Sequence, residues 1–372
     1  MLFGKTASSL ISRREILGGV AALAVTDRAS AKARAPSPTI DGLSFLPDDL
    51  TELKAAGLDA MICDVSQVRE IRDSAGVPRY LRDFETNDAA LAKAIERIEA
   101  SKIAFVAKRG SDIGKSGCAA FLQFQSCEPI GTDLSRIGYF QDKGLRVLQF
   151  THHNNNAFAG GAIEPVQSGL TPLGVEGLAE MNRVRLVPDV SHGSEATMQE
   201  AARQSRTPII LSHGACKAIV DHPRCASDAA IRVIATKGGV MGIFMMSFWL
   251  TRDPIPTIDH LIAQIRHVIR IGGIDAVGIA NDFPMAGQPN LVKLANDNAE
   301  GVKEYLGWWT AMRDSSIPGF ETLPQHVVAP ELNRIGRMAV IRRALERNRF
   351  KGREIDRIMG GNWRRVLTDV MG

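Results

Sequence analysis

Three histidines and one aspartate stand at the ends of apolar runs. His152 closes Leu145–His152, His192 closes Val184–His192, His213 closes Pro208–His213, and Asp282 closes Ala276–Asp282. Imidazole nitrogens and a carboxylate are donors that zinc takes. A zinc ion held by them would polarise an amide carbonyl and activate water. The large sequence separations are no obstacle if the runs are parallel strands of one barrel, because the loops at the C-terminal mouth of such a barrel converge. A lone histidine in a barrel is ordinarily structural. Four polar strand ends at helix-sized spacings form a stronger pattern, because chance placement must recur four times.

Those four runs belong to a longer series: Ile40–Phe45, Ala60–Val65, Ile103–Ala107, Ala119–Gln125, Leu145–His152, Val184–His192, Pro208–His213, Gly239–Met246 and Ala276–Asp282. They do not alternate strictly, as expected of parallel strands buried on both faces. Helical spacing of apolar residues marks Asp88–Ala100, Glu195–Gln204, Asp228–Lys237 and Asp259–Ile271 between them. Strand–helix alternation implies an α/β fold, and eight repeats imply a closed, TIM-like (β/α)8 barrel. Nine candidate strands for eight places mean that one lies outside the barrel or is misread. An open doubly wound sheet is the alternative. Residues 283–327 are rich in Pro, Gly, Asn and Asp and read as a lid-like loop over one mouth, with Trp308 and Trp309 opening a helix. The C-terminal stretch Pro330–Met371 reads as basic helices, with Arg334, Arg337, Arg342, Arg343 and Arg347 on a solvated face.

Composition narrows the partners. The 372 residues carry 45 basic and 41 acidic groups, a net charge of +4, and only 6% aromatics. That balance argues against nucleic acid or an anionic membrane as a partner. The five cysteines, Cys63, Cys118, Cys127, Cys216 and Cys225, form no C-x-x-C pair and cannot all be paired within one chain. A disulfide scaffold and a thiolate zinc site are both disfavoured. Near the start, Arg13-Arg14 precede a short apolar run, Ile16–Val25, and then A-x-A at Ala29–Ala31 and Ala33–Ala35. This resembles a twin-arginine signal peptide over residues 1–31, cleaved at Ala31 or Ala35, with the barrel domain filling 36–372. The apolar run is about half of the ~20 residues a membrane span needs, so a stable span is not expected. The protein would then act in the periplasm or outside the cell.

Three segments carry a resemblance. Val190-Ser191-His192, Leu211-Ser212-His213-Gly214-Ala215-Cys216-Lys217-Ala218 and Asp221-His222-Pro223-Arg224 resemble the renal (membrane) dipeptidase family, metallo-dependent hydrolases on a (β/α)8 barrel with two zinc ions. Phe150-Thr151-His152 with Asn154, Val277-Gly278-Ile279 before Asp282-Phe283, and Gly360-Gly361-Asn362-Trp363 match further family segments. The resemblance implies that His192 and His213 bind the second zinc. It implies that His152 holds substrate and steadies a tetrahedral intermediate, and that Arg224 pairs with the substrate carboxylate. Asp282 would touch the first metal and shuttle a proton. Relatives are often dimers, which extends the implication to a homodimer.

The departures are at the first metal. Where the family has D-G-H-x-D this chain has Asp41-Gly42-Leu43-Ser44-Phe45, and Gln125 stands at the bridging glutamate. Leu43 and Phe45 offer no donor. A neutral amide supplies no charge to offset the repulsion of two cations. One zinc is therefore expected rather than two, with no metal at all the remaining option. Asp64 or Glu128 are candidates for a replacement carboxylate. Three readings stay open: a hydrolase of dipeptides or dipeptide-like amides with an atypical or mononuclear metal site, an enzyme using acid–base groups alone, and a non-catalytic homologue that binds a peptide-like metabolite. Other motifs fall short. Gly110–Ser116 is one residue too short for a phosphate loop, no G-x-S-x-G is present, and Cys216 reads as a buried structural thiol.

Overall fold

The computed structural model describes residues 37–72, 78–287, 299–314, 316, 320–323 and 326–372. The expected leader, part of the lid-like stretch and the side chain of Trp308 lie outside the described residues.

The strands are β1 (Ile40–Phe45), β2 (Ala60–Asp64), β3 (Arg69–Arg72), β4 (Pro78–Leu81), β5 (Ala104–Val106), β6 (Cys118–Phe124), β7 (Leu145–Gln149), β8 (Val187–Asp189), β9 (Ile210–Gly214), β10 (Val240–Ile243) and β11 (Val277–Ile279). β1, β2, β6, β7, β8, β9, β10 and β11 follow one another in a parallel sheet of eight. The ends of that sheet meet where the amides of Asn281 and Asp282 both donate to Leu43 O, at 3.0 and 3.1 Å. Asn281 N also donates to Asp41 Oδ1 (2.9 Å). The result is a nearly closed TIM-like barrel. The surplus ninth run is β5, which pairs Ala104 with Cys118 along the first half of β6, while β7 takes the second half from Leu122. β3 and β4 form a separate antiparallel hairpin.

Burial on both faces explains why the runs do not alternate. Ala119 and Phe121 of β6 pack in one cluster with Ile40, Ile62, Val147 and Val187. Their neighbours Ala120, Leu122 and Phe124 join the cluster that includes the helix residues Leu91, Ile98 and Ile137. Side-chain caps set the helix starts. Asp83, Ser194 and Ser227 accept the amides of Thr86, Thr197 and Ala230. The Asp83 cap starts the helix at Phe84, one turn before the expected Asp88.

The C-terminal helix Asn362–Met371 packs into the barrel's inner cluster. Trp363 is fully buried and donates through Nε1 to Ile279 O (3.1 Å). A β-carbon on Gly42 or Gly278 would come within 2.2 or 2.3 Å of its ring, so only glycine admits the tryptophan there. Asn362 secures the same end by donating to Ile274 O and Val277 O. The basic helices are not solvated throughout. Arg337 is buried, donates to Leu332 O and Met285 O, and lies 4.0 Å from the Phe283 ring centre. Carbonyls about fifty residues upstream, at the foot of the lid stretch, draw it inward. Trp309 packs on Phe248 and Phe320, from the interior of the helix Ala299–Asp314 rather than from its start. The short glycine loop holds no phosphate cradle: Asp112 already accepts the amides of Lys108 and Arg109. Among the described residues, no helix is long and apolar enough to cross a membrane.

Candidate active site at the barrel mouth

The strands end earlier than the apolar runs. β7, β8 and β11 stop at Gln149, Asp189 and Ile279, and His152, His192 and Asp282 stand three residues beyond; only His213 lies within its strand. The cause is conformational. His192 (φ 61°), Asp282 (φ 59°) and His153 (φ 65°) adopt the left-handed region, which no strand accommodates and which side chains with a β-carbon rarely hold. Such strain gathers at functional sites when the surrounding structure enforces it.

His213 is oriented by a buried relay. Asp189 accepts from Gln123 Nε2 (2.7 Å), Ser212 Oγ (2.5 Å), Ser212 N (3.0 Å), and both the amide and hydroxyl of Ser191 (2.9 and 2.8 Å). Burial still pushes its carboxyl above the usual range. The Ser212 hydroxyl spends its hydrogen on Asp189, so its oxygen accepts from His213 Nδ1, 2.8 Å away. His213 Nε2 therefore carries the lone pair, and it lies 2.8 Å from His192 Nε2. His192 Nδ1 lies 3.2 Å from His153 Nδ1. The His152 ring stacks on His192 with centres 4.3 Å apart. Burial, reinforced by the charge of Arg224, holds His192 and His213 well below the ordinary imidazole range. Burial and the neighbouring His153 do the same for His152, and burial takes His153 to about 3. All four rings are neutral at physiological pH, as metal ligands must be.

Arg224 is fully buried. Its Nη2 donates to His213 O (3.1 Å), while Nε and Nη1 have no protein partner. The rings of Phe244 and Trp249 lie 5.3 and 5.5 Å away. Burial lowers it to about 10, which leaves it charged at neutral pH. Asp282 is raised to about 7 by burial, with Arg224 pulling the other way and Asp64 adding repulsion.

The β1–β2–β6 side is different. Leu43 is fully buried, and Phe45 is in register with Asp64. Gln125 Nε2 donates to Asp64 Oδ2 (2.9 Å), and Asp64 Oδ1 accepts from the amide and hydroxyl of Ser66. Both candidate replacement carboxylates are thus engaged: Asp64 by Gln125 and Ser66, and Glu128 by Arg82 at 3.5 Å. Cys216 is buried with Sγ 3.8 Å from Gln264 O, and burial pushes its thiol up, consistent with a structural role.

The structure brings His152, His192, His213, Arg224 and Asp282 to one mouth. It adds His153, Asp189, Ser212 and Trp249, which sequence reasoning did not single out. The His152-His153 doublet and the aspartate three residues before His192 were the available signals. The donor set fits one zinc ion: two neutral imidazoles with facing Nε2 atoms, one of them fixed by a carboxylate-backed hydrogen bond. At the positions where the resemblance puts the other ligands stand Leu43 and Phe45, which offer no donor, and an amide tied to Asp64.

The family model described as membrane dipeptidase, peptidase family M19, matches residues 14–301. A Claviceps purpurea protein named dipeptidase tcpJ is 32% identical over 212 residues, covering 55% of this chain and 48% of that protein. The chain spans about half the length of the curated relatives it matches. An amidohydrolase from Pseudomonas aeruginosa superposes with a TM-score of 0.75 at 24% identity, covering 90% of this chain and 97% of the other. A metallopeptidase from Rhodobacter sphaeroides, solved with a phosphinate mimic of the dipeptide L-Ala-D-Ala, gives 0.69 at 17%, covering 90% and 100%. These likenesses show the same fold.

Proposed function

The chain belongs to the membrane dipeptidase family, and from that premise we propose that it hydrolyses a dipeptide or dipeptide-like amide with one metal ion instead of two. The observation that carries this reading is the facing pair of His192 and His213 nitrogens beside the unpartnered donors of Arg224. A bound zinc ion supplies Lewis-acid polarisation of the scissile carbonyl. Arg224 offers Nε and Nη1 to the substrate's terminal carboxylate, a charge-assisted pairing with a fully buried guanidinium. Phe244 and Trp249 wall that subsite. Asp282 takes the proton of the attacking water and returns it to the leaving amine, a task suited to a carboxyl raised to about 7. His152, stacked on His192, holds the substrate carbonyl in place. Export belongs to the same proposal: the paired arginines Arg13 and Arg14 direct the folded protein to the periplasm, and replacing both with lysine is expected to retain it in the cytoplasm.

Metal analysis of the purified protein, with a dipeptide panel assayed with and without zinc, tests the reading. Zinc-dependent turnover is expected; absence of both metal and turnover overturns it. Leu43, Phe45 and the Gln125–Asp64 bond favour a second reading, a binding protein that has lost the chemistry. In that case a dipeptide raises the melting temperature without being consumed.

A further inference from the structure

His192 presents two nitrogens to two different partners. Nε2 faces His213 in the enclosed part of the mouth, and Nδ1 faces His153 on the more open side. The ring of His152 packs face-on to His192 and edge-on to His153, with centres 4.3 and 4.6 Å apart. One ring nitrogen from each of His152, His153 and His192 lies within 4.8 Å of the other two. We propose that these three histidines form an outer site for a borderline divalent cation such as zinc, separate from the His192–His213 pair.

The hydrogen-bond network favours it. His213 Nδ1 donates to Ser212, so His213 Nε2 is the acceptor of its bond with His192. His192 therefore carries its proton on Nε2, and its lone pair sits on Nδ1, toward His153. His153 opens the site by moving its own proton from Nδ1 to Nε2, which leaves the inner pair undisturbed. Two of the three nitrogens already have the spacing: two nitrogens on one tetrahedral zinc stand about 3.3 Å apart, and those of His153 and His192 stand at 3.2 Å, while the His152 nitrogen, within 4.8 Å, must move in to complete the site. Three imidazoles with a fourth position open to water is an established zinc geometry. Access favours it as well, because His152 and His153 are half-buried whereas His213 is fully enclosed.

A neutral imidazole has one lone pair, so His192 serves one site at a time. An ion on the outer site leaves the proton on His192 Nε2, closes the inner pair and removes His152 from the substrate. The outer site is thus an inhibitory one, filled when zinc is in excess.

The test is a zinc titration of the chelator-stripped full chain, followed by calorimetry and by the visible absorption of substituted cobalt. His213→Asn removes the inner pair and is expected to keep one equivalent with tetrahedral cobalt bands. Adding His153→Asn is expected to lower that affinity at least ~100-fold, beyond the 10–100-fold typical of losing a supporting partner. Asparagine tolerates the left-handed backbone at 153, which guards the fold. His152→Asn in the same background is expected to weaken binding too and serves as the second variant. Loss of all zinc in His213→Asn alone, or unchanged affinity in the double variants, overturns the outer site. Either result leaves the hydrolase reading standing, because that rests on the inner pair.

Discussion

On the β8–β9 side of the mouth, each polar group leads to the next: Gln123 and the two serines to Asp189, Ser212 to His213, His213 to His192. The chain ends in imidazole nitrogens that bond only to one another, His213 Nε2 to His192 Nε2 and His192 Nδ1 to His153 Nδ1. On the β1–β2–β6 side the polar groups close on themselves: Gln125 and Ser66 satisfy Asp64, and Leu43 fills its place with carbon. Both carboxylates, Asp189 and Asp64, find partners. Only the first leaves a donor set aimed outward. On the proposed one-metal reading, the self-contained side is core and the other side keeps the oriented ligands.

Mutations on the two sides should therefore differ sharply. The largest effect is expected from Asp282→Asn, a drop in kcat of about 10²–10⁴-fold at nearly constant KM, whereas Asp64→Asn should change kcat by far less. Steady-state kinetics on one dipeptide separates the two; equal losses would erase the contrast. Next is Arg224→Ala, expected to raise KM roughly 10²-fold or more for a substrate with a free carboxylate, as for other buried charge pairs losing one partner. An amidated dipeptide should lose the discrimination. Third, Ser212→Ala should weaken zinc binding about 10–100-fold by releasing the tautomer of His213, while Gln125→Ala should leave it nearly unchanged, as read by calorimetry.

Much of this was visible in the sequence, for reasons that differ by residue. His192, His213 and Asp282 were recognisable at the ends of apolar runs, and Arg224 through the family resemblance of Asp221-His222-Pro223-Arg224. Their backbone was not, because a left-handed residue after a strand looks the same in sequence as a strand's last residue. That is why His192 and Asp282, themselves left-handed, and His152, which precedes the left-handed His153, were assigned to strands that end three residues sooner. His153 was hidden beside a neighbour that already carried a role. Arg337 looked like a solvated charge because two of its partners, the carbonyls of Pro284 and Met285, are joined to it only by tertiary folding. The surplus strand β5 could be counted but not placed, since pairing along half of β6 leaves no trace in composition.

A smaller effect probes the quieter side. Burial raises Asp41 to about 7, against the pull of Arg337. Its native pKa exceeds the unfolded value of 3.8, so the native state binds the extra proton between about pH 4 and 7. Stability should fall as pH rises through that window. Asp41→Asn keeps the oxygen that accepts Leu43 N and Asn281 N and should flatten the slope in chemical denaturation. An unaltered slope would place the dependence elsewhere.

The central claim, one working metal half and one lost, is tested most directly by counting ions. Elemental analysis of the full chain equilibrated with excess zinc and then desalted should find one equivalent. The variant Leu43→His/Phe45→Asp/Gln125→Glu should take up a second. Two equivalents in the natural sequence, or dipeptide hydrolysis that persists after complete removal of metal, would contradict the account.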